Sequence, residues 1–101
     1  MLLADRRRLQ NAAVVFVDIY FSALETVARA DVEALLEDRL PVGCEIVGAG
    51  VGDTGSNIDL EIPDRAAVAA IVDVLRLLGV RGDTLLAFSD TGAKVRLEEL
   101  P

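Results

Sequence analysis

Histidine and tryptophan are absent from this 101-residue chain, and cysteine occurs once. Without histidine there is no side chain whose ordinary pKa lies near neutrality, so the commonest general base is missing. A single thiol, Cys44, excludes a disulfide within the chain and a structural zinc set built from cysteine and histidine. Cys44 has no histidine to activate it and opens a predicted strand among apolar residues, which reads as an inert thiol. Aromatic residues are scarce as well: Phe16, Phe21, Phe88 and Tyr20. Valine, leucine, isoleucine and alanine must therefore fill the core. No apolar run approaches ~20 residues, so no segment is expected to span a bilayer. The residues around Arg6–Arg8 lack the order of a signal peptide. A lone thiol and no leader together predict a cytoplasmic protein.

What is present is a globular composition, 52% hydrophobic and 27% charged, at a length that holds one core. The net charge is −7. Residues 1–12 carry Arg6, Arg7 and Arg8 against Asp5 and form an N-terminal arm of positive charge, so residues 13–101, the single domain, are more acidic than the whole. Such a body repels nucleic-acid phosphates and anionic membranes and favours a basic protein partner or a cation. Neither nucleic acid nor a membrane is an expected partner.

Residues 13–21 (AVVFVDIYF) are β-branched and aromatic and predict a strand. Val15, Val17, Ile19 and Phe21 share one face; Phe16, Asp18 and Tyr20 share the other. Ser22-Ala-Leu-Glu25 has the pattern of a capping box, which predicts a helix from Ser22 to Leu40-Pro41, with Asp31 an alternative cap and a kink near Ala30. Cys44–Val51 and Asn57–Ile62 predict two strands joined by a hairpin rich in turn formers. In the latter, Ile58, Leu60 and Ile62 face the core while Asn57, Asp59 and Glu61 face away. Asp64 is the expected N-cap of a second helix with apolar Val68, Ile71, Val72, Leu75 and Leu78, closed by Gly79 and Val80 in a Schellman ending. Thr84–Phe88 is a further strand, and Ala93–Leu97 a short last one.

The order β-α-β-β-α-β predicts an α+β, ferredoxin-like fold: an antiparallel sheet with two helices on one face and a short extra C-terminal strand. The expected spatial order is fourth, first, third, second strand.

Three motifs invite chemistry and are better read as turns. Gly50-Val-Gly-Asp-Thr-Gly55 matches GxGxxG, but dinucleotide binding needs a helix after the glycines, and here a strand follows. Asp53-Thr-Gly and Asp90-Thr-Gly resemble the aspartic-protease signature, which needs two carboxylates sharing a proton across a near-symmetric site. Two helices in the wrong places and a chain that stops soon after Asp90 argue against it, and Asp-Thr-Gly is ordinary turn sequence. No catalytic residue, cofactor or metal site is therefore expected.

A surface remains. With both helices on one side, Phe16, Asp18, Tyr20, Asn57, Asp59 and Glu61 lie together on the open face of the sheet, with Glu45 and Val47 as further candidates. Adjacent first and third strands place Asp18 near Asp59 or Glu61. Like charges side by side destabilise a sheet slightly, and carboxylates mixed with aromatics suit a protein interface. This predicts binding of a basic partner, or self-association, through the open face; a merely solvated face is the plainer alternative.

The run Gly43–Ile62 (GCEIVGAGVGDTGSNIDLEI), with the Asp-led helix and Gly-Val-Arg-Gly-Asp-Thr after it, resembles small uncharacterised bacterial proteins of toxin–immunity neighbourhoods. The resemblance covers half the chain, carries no diagnostic motif and assigns no residue a role. It implies a small acidic immunity-type inhibitor of a basic toxin. Two other functions fit the predicted fold: an ACT-like regulatory domain binding a small molecule as a dimer, and a dimeric α+β barrel enzyme in which Asp18 and Tyr20 would be the acid–base candidates.

Overall fold

The computed structural model describes residues 14–52 and 55–101. The N-terminal arm at 1–12 lies outside these residues, as do Asp53 and Thr54 of the hairpin. Among the described residues, five strands and two α-helices follow one another in the order β1 (Val15–Tyr20), α1 (Arg29–Arg39), β2 (Glu45–Gly52), β3 (Gly55–Ile62), α2 (Val68–Leu77), β4 (Leu85–Phe88) and β5 (Lys94–Arg96). A 3-10 turn precedes α2 and another follows β5.

The strands form one sheet in the order β2-β3-β1-β4-β5, every neighbouring pair antiparallel. A split βαβ unit has four strands; here β5 adds a fifth outside β4. Alternation decides which side of the sheet is buried. Val15, Val17 and Ile19 of β1, Ile58, Leu60 and Ile62 of β3, and Leu86 and Phe88 of β4 form one cluster with Val32 and Leu36 of α1 and Ile71, Val72, Val74 and Leu75 of α2. Both helices thus cover the same face. Among the described residues, no helix is long and apolar enough to cross a membrane.

The second helix follows its ending signal, but Asp64 caps the 3-10 turn Arg65–Ala67 that leads into it, and α2 itself begins at Val68 behind Ala67 with no side-chain cap. The Asp64 carboxylate accepts from the Ala66 N–H at 2.8 Å. At the other end, Gly79 takes φ +74°, the Val80 N–H donates to the Leu75 carbonyl and the Gly79 N–H to the Arg76 carbonyl, the paired bonds of a Schellman ending. Val80 is buried in the core as that ending requires.

The first helix corrects the sequence reading. It begins at Arg29, with Ala28 as N-cap and no side-chain cap, and not at Ser22. The Ser22 hydroxyl accepts from the Leu24 N–H within a turn, and Leu24 is exposed. Glu25 cannot reach back to close a capping box, because its carboxylate is occupied elsewhere. One oxygen accepts from the N–H groups of Thr26 and Val27, the other from the Arg81 N–H at 2.8 Å. Residues 22–28 are thereby tied as a loop to the turn after α2. Asp31 falls in the first turn of α1 and Arg39 in the last, each complementing the helix dipole. The helix ends at Leu40, before Pro41, as expected.

Candidate functional site

The open face is ordered by strand register. In one row across the sheet, Glu45 of β2 lies opposite Glu61 of β3, and Glu61 opposite Phe16 of β1. The next row runs Gly48, Asp59, Asp18, Ala87 and Lys94; the third runs Gly50, Asn57, Tyr20, Leu85 and Arg96. All six residues singled out from the sequence share this face. Asp18 stands directly opposite Asp59, while Glu61 is paired with Phe16.

Phe16 and Tyr20 are 40% and 42% exposed, and the carboxylates between them are half-buried. Burial first, then a hydrogen bond to Asp59 and the charge of Asp59, raise the pKa of Asp18 above the usual carboxylate value; a hydrogen bond from Tyr20 opposes the shift. The Asp18 charge first, then burial, in turn raise the pKa of Tyr20. The Asn57 side-chain amide donates to Asp59 Oδ1 at 3.0 Å. A hydrogen bond between the two carboxyls requires a proton on one of them. When both are ionised, two facing negative charges remain on a partly dehydrated surface, available to a cation from outside.

Two neighbours of the site were not legible in the sequence. Gly48 and Gly50 leave β2 bare where it borders the acids. A Cβ on Gly48 would come within 2.9 Å of Asp59 Oδ2, and one on Gly50 within 3.0 Å of Asn57 Oδ1. Asp59 and Asn57 therefore lean over the β2 backbone. A shallow depression of about 370 Å³ continues the face at the hairpin end, lined by Tyr20, Gly50, Val51, Ser56 and Asn57 among others. Among the described residues, none that lines it is charged. Lys94 and Arg96 of β5 lie in the same rows as Asp18 and Tyr20, so the face is acidic across β1–β3 and basic at the β5 edge. The alternation within β4 and β5 was the signal for them, but so short a strand as β5 shows it weakly.

The chain matches no known family model, no curated protein and no solved structure.

The remaining motifs take structural places. Gly50 and Gly52 belong to β2 and Gly55 to β3, so the GxGxxG run sits in a hairpin. Asp90 accepts from Arg65 Nη1 through both oxygens, at 2.9 and 3.2 Å, and Gly92 closes that turn at φ +73°. Cys44 is half-buried, and burial together with the Asp64 charge raises its thiol pKa. Among the described residues, no three His, Cys, Asp or Glu side chains are grouped as metal ligands.

The acid pair sets a stability test. Because the folded-state pKa of Asp18 is raised from 3.8, the folded chain holds its proton more tightly than the unfolded one. The contribution of Asp18 to stability is then greatest at acid pH and is lost as pH rises through that raised value. Asp18→Asn should stabilise the chain by about 0.5–1 kcal/mol at neutral pH, a gain of roughly 2–8 °C in Tm. The gain should vanish at about pH 3, where the Asp18 carboxyl is protonated. A gain of equal size at both pH values would show that charge is not its cause.

Proposed function

We propose that this chain is a non-catalytic protein-binding module that receives a basic protein partner on its open sheet face. The observation that carries the reading is the register of Asp18 against Asp59, framed by exposed Phe16 and Tyr20. A sheet tolerates two facing carboxylates at a cost in stability, and a partner's lysine or arginine would relieve it. The aromatic rings supply apolar contact area, and Glu45 and Glu61 extend the negative potential along the sheet. In this reading the βαββαβ core is a ferredoxin-like unit with an additional edge strand, and an immunity-type role agrees with the toxin–immunity resemblance of Gly43–Ile62.

A heterologous partner fits this face better than a second copy does. The acid pair lies on β1 and β3, inside the sheet, and β1 is its central strand. A two-fold axis through β1 would bring Asp18 onto Asp18 of the second copy, and like charges would meet at the centre of the interface.

The test compares two double variants of equal charge change. Lysine- and arginine-rich proteins are screened for binding to the native chain at about 0.15 M ionic strength, where only nearby charges act strongly. For a binder, Asp59→Lys/Glu61→Lys should slow association by about 10-fold or more, whereas Glu37→Lys/Asp73→Lys, on the helices, should change it little. Equal slowing by both variants would assign the effect to net charge and reject the open face as the binding site.

A further inference from the structure

We infer that two copies of this chain associate edge to edge through β2, about a two-fold axis at Ala49, to form one sheet continuous across both. This goes beyond the partner proposed for the open face and does not depend on it.

Among the described residues β2 pairs with β3 alone, so its outer row of N–H and C=O groups has no strand beside it. Edge strands are ordinarily guarded by shortness, charge, proline or a bulge. The opposite edge, β5, is guarded: it has three residues, and Lys94 and Arg96 are two of them. The β2 edge has eight residues, no proline and, after Glu45, no charge. Its one guard is a bulge at Val47, where the register shifts between Ile46 and Gly48; from Gly48 to Gly52 the ladder is regular. Val47 and Val51 are 49% and 77% exposed, and Ala49 is exposed between them.

The sequence of this edge selects its occupant. Val47-Gly48-Ala49-Gly50-Val51 reads identically in both directions. An antiparallel pair related by a two-fold axis at Ala49 sets Ala49 against Ala49 and each Gly48 against Gly50 of the second copy, while Val47, in the bulge, stands outside the regular ladder. Bare backbone and small side chains then meet at the centre, so the two edges approach without a steric bar. Moving the centre to Gly50 opposes Val51 to Ala49, and moving it to Gly48 opposes Val51 to Glu45 and draws the bulge at Val47 into the ladder. Charge points the same way. In a chain of net charge −7, Ile46–Gly52 is a stretch where two copies meet without facing carboxylates, and it offers a basic strand nothing to pair with. The axis is normal to the sheet, so the two open faces lie on the same side of the dimer.

Disulfide trapping tests the register. In a Cys44→Ser background, Ala49→Cys should cross-link into a dimer on mild oxidation, because facing Cα atoms in an antiparallel pair lie about 4.5–5.5 Å apart, within disulfide reach. Val51→Cys should not, since its counterpart thiol is displaced by about 13 Å along the strands. Sedimentation equilibrium of the native chain should show a reversible dimer, and Val47→Lys/Val51→Lys should weaken it by about tenfold or more with an unchanged circular dichroism spectrum. The inference fails if the native chain is monomeric up to about millimolar concentration, beyond which an interface of this kind has no meaning. It also fails if Val51→Cys cross-links while Ala49→Cys does not, or if the dimer is dissolved by Phe16→Ala/Tyr20→Ala and survives Val47→Lys/Val51→Lys. Each of these outcomes leaves the charge-reversal test of the open face independent.

Discussion

Replacing Gly55 with alanine is expected to lower stability by about 3 kcal/mol, seen as a fall of more than ~10 °C in Tm. Gly55 opens β3 at φ +139°, a backbone conformation that side-chain-bearing residues rarely adopt. A Cβ there would stand 2.2 Å from the Phe21 carbonyl oxygen, well inside van der Waals contact. The clash cannot be relieved by swinging a side chain, because the obstacle is backbone. Nor can the strands part freely, since the Phe21 N–H donates to the Ser56 carbonyl at 2.8 Å beside it. Relief would therefore sacrifice a hydrogen bond worth about 1 kcal/mol in addition to the strain. Two other glycines calibrate the result. Gly79 also has positive φ but nothing within 4 Å of a Cβ, so Gly79→Ala should cost only about 1–2 kcal/mol. At Gly48 the obstacle is the Asp59 carboxylate, which can rotate away, so Gly48→Ala should cost less again and disturb the acid pair more than the fold. If thermal denaturation ranks Gly55→Ala below Gly79→Ala, the close approach of β1 and β3 at this point is wrong.

Phe88→Ala should remove about 3–5 kcal/mol, a large part of the stability of a domain this small. Phe88 is the largest of the fully buried side chains and sits opposite Val17 across the β1–β4 ladder. Its ring also supports Arg65, whose guanidinium lies 4.5 Å from the ring centroid and holds Asp90 through both oxygens. Truncation would leave a cavity and remove the platform on which that ion pair rests. Phe88→Leu keeps much of the burial and loses the ring face, so its cost should be smaller, about 1–2 kcal/mol. Urea denaturation with an unchanged m-value would measure both. A cost below ~1.5 kcal/mol for Phe88→Ala would mean that the side chain is not tightly packed.

The amino-acid sequence by itself determined the local features: the alternating faces of β1 and β3, a cap at Asp64, which closes the 3-10 turn leading into α2, and the Gly79–Val80 helix ending. Each depends on residues within a few positions of one another, where backbone geometry leaves few choices. The same alternation was enough to collect Phe16, Asp18, Tyr20, Asn57, Asp59 and Glu61 on one face. The tertiary structure decided what depends on distant partners. Ser22 and Glu25 have the spacing of a helix start, yet the Arg81 N–H, 56 residues along the chain, draws the Glu25 carboxylate away and delays the helix to Arg29. The register of β1 on β3 sets Asp18 against Asp59 where the sequence left Glu61 equally eligible. Which glycines bear on an acid or a backbone carbonyl, and which edge of the sheet lies open, follow from the order in which the strands assemble. A strand's own sequence dictates its two faces; only its neighbours decide which of its residues meet and which edge stays unpaired.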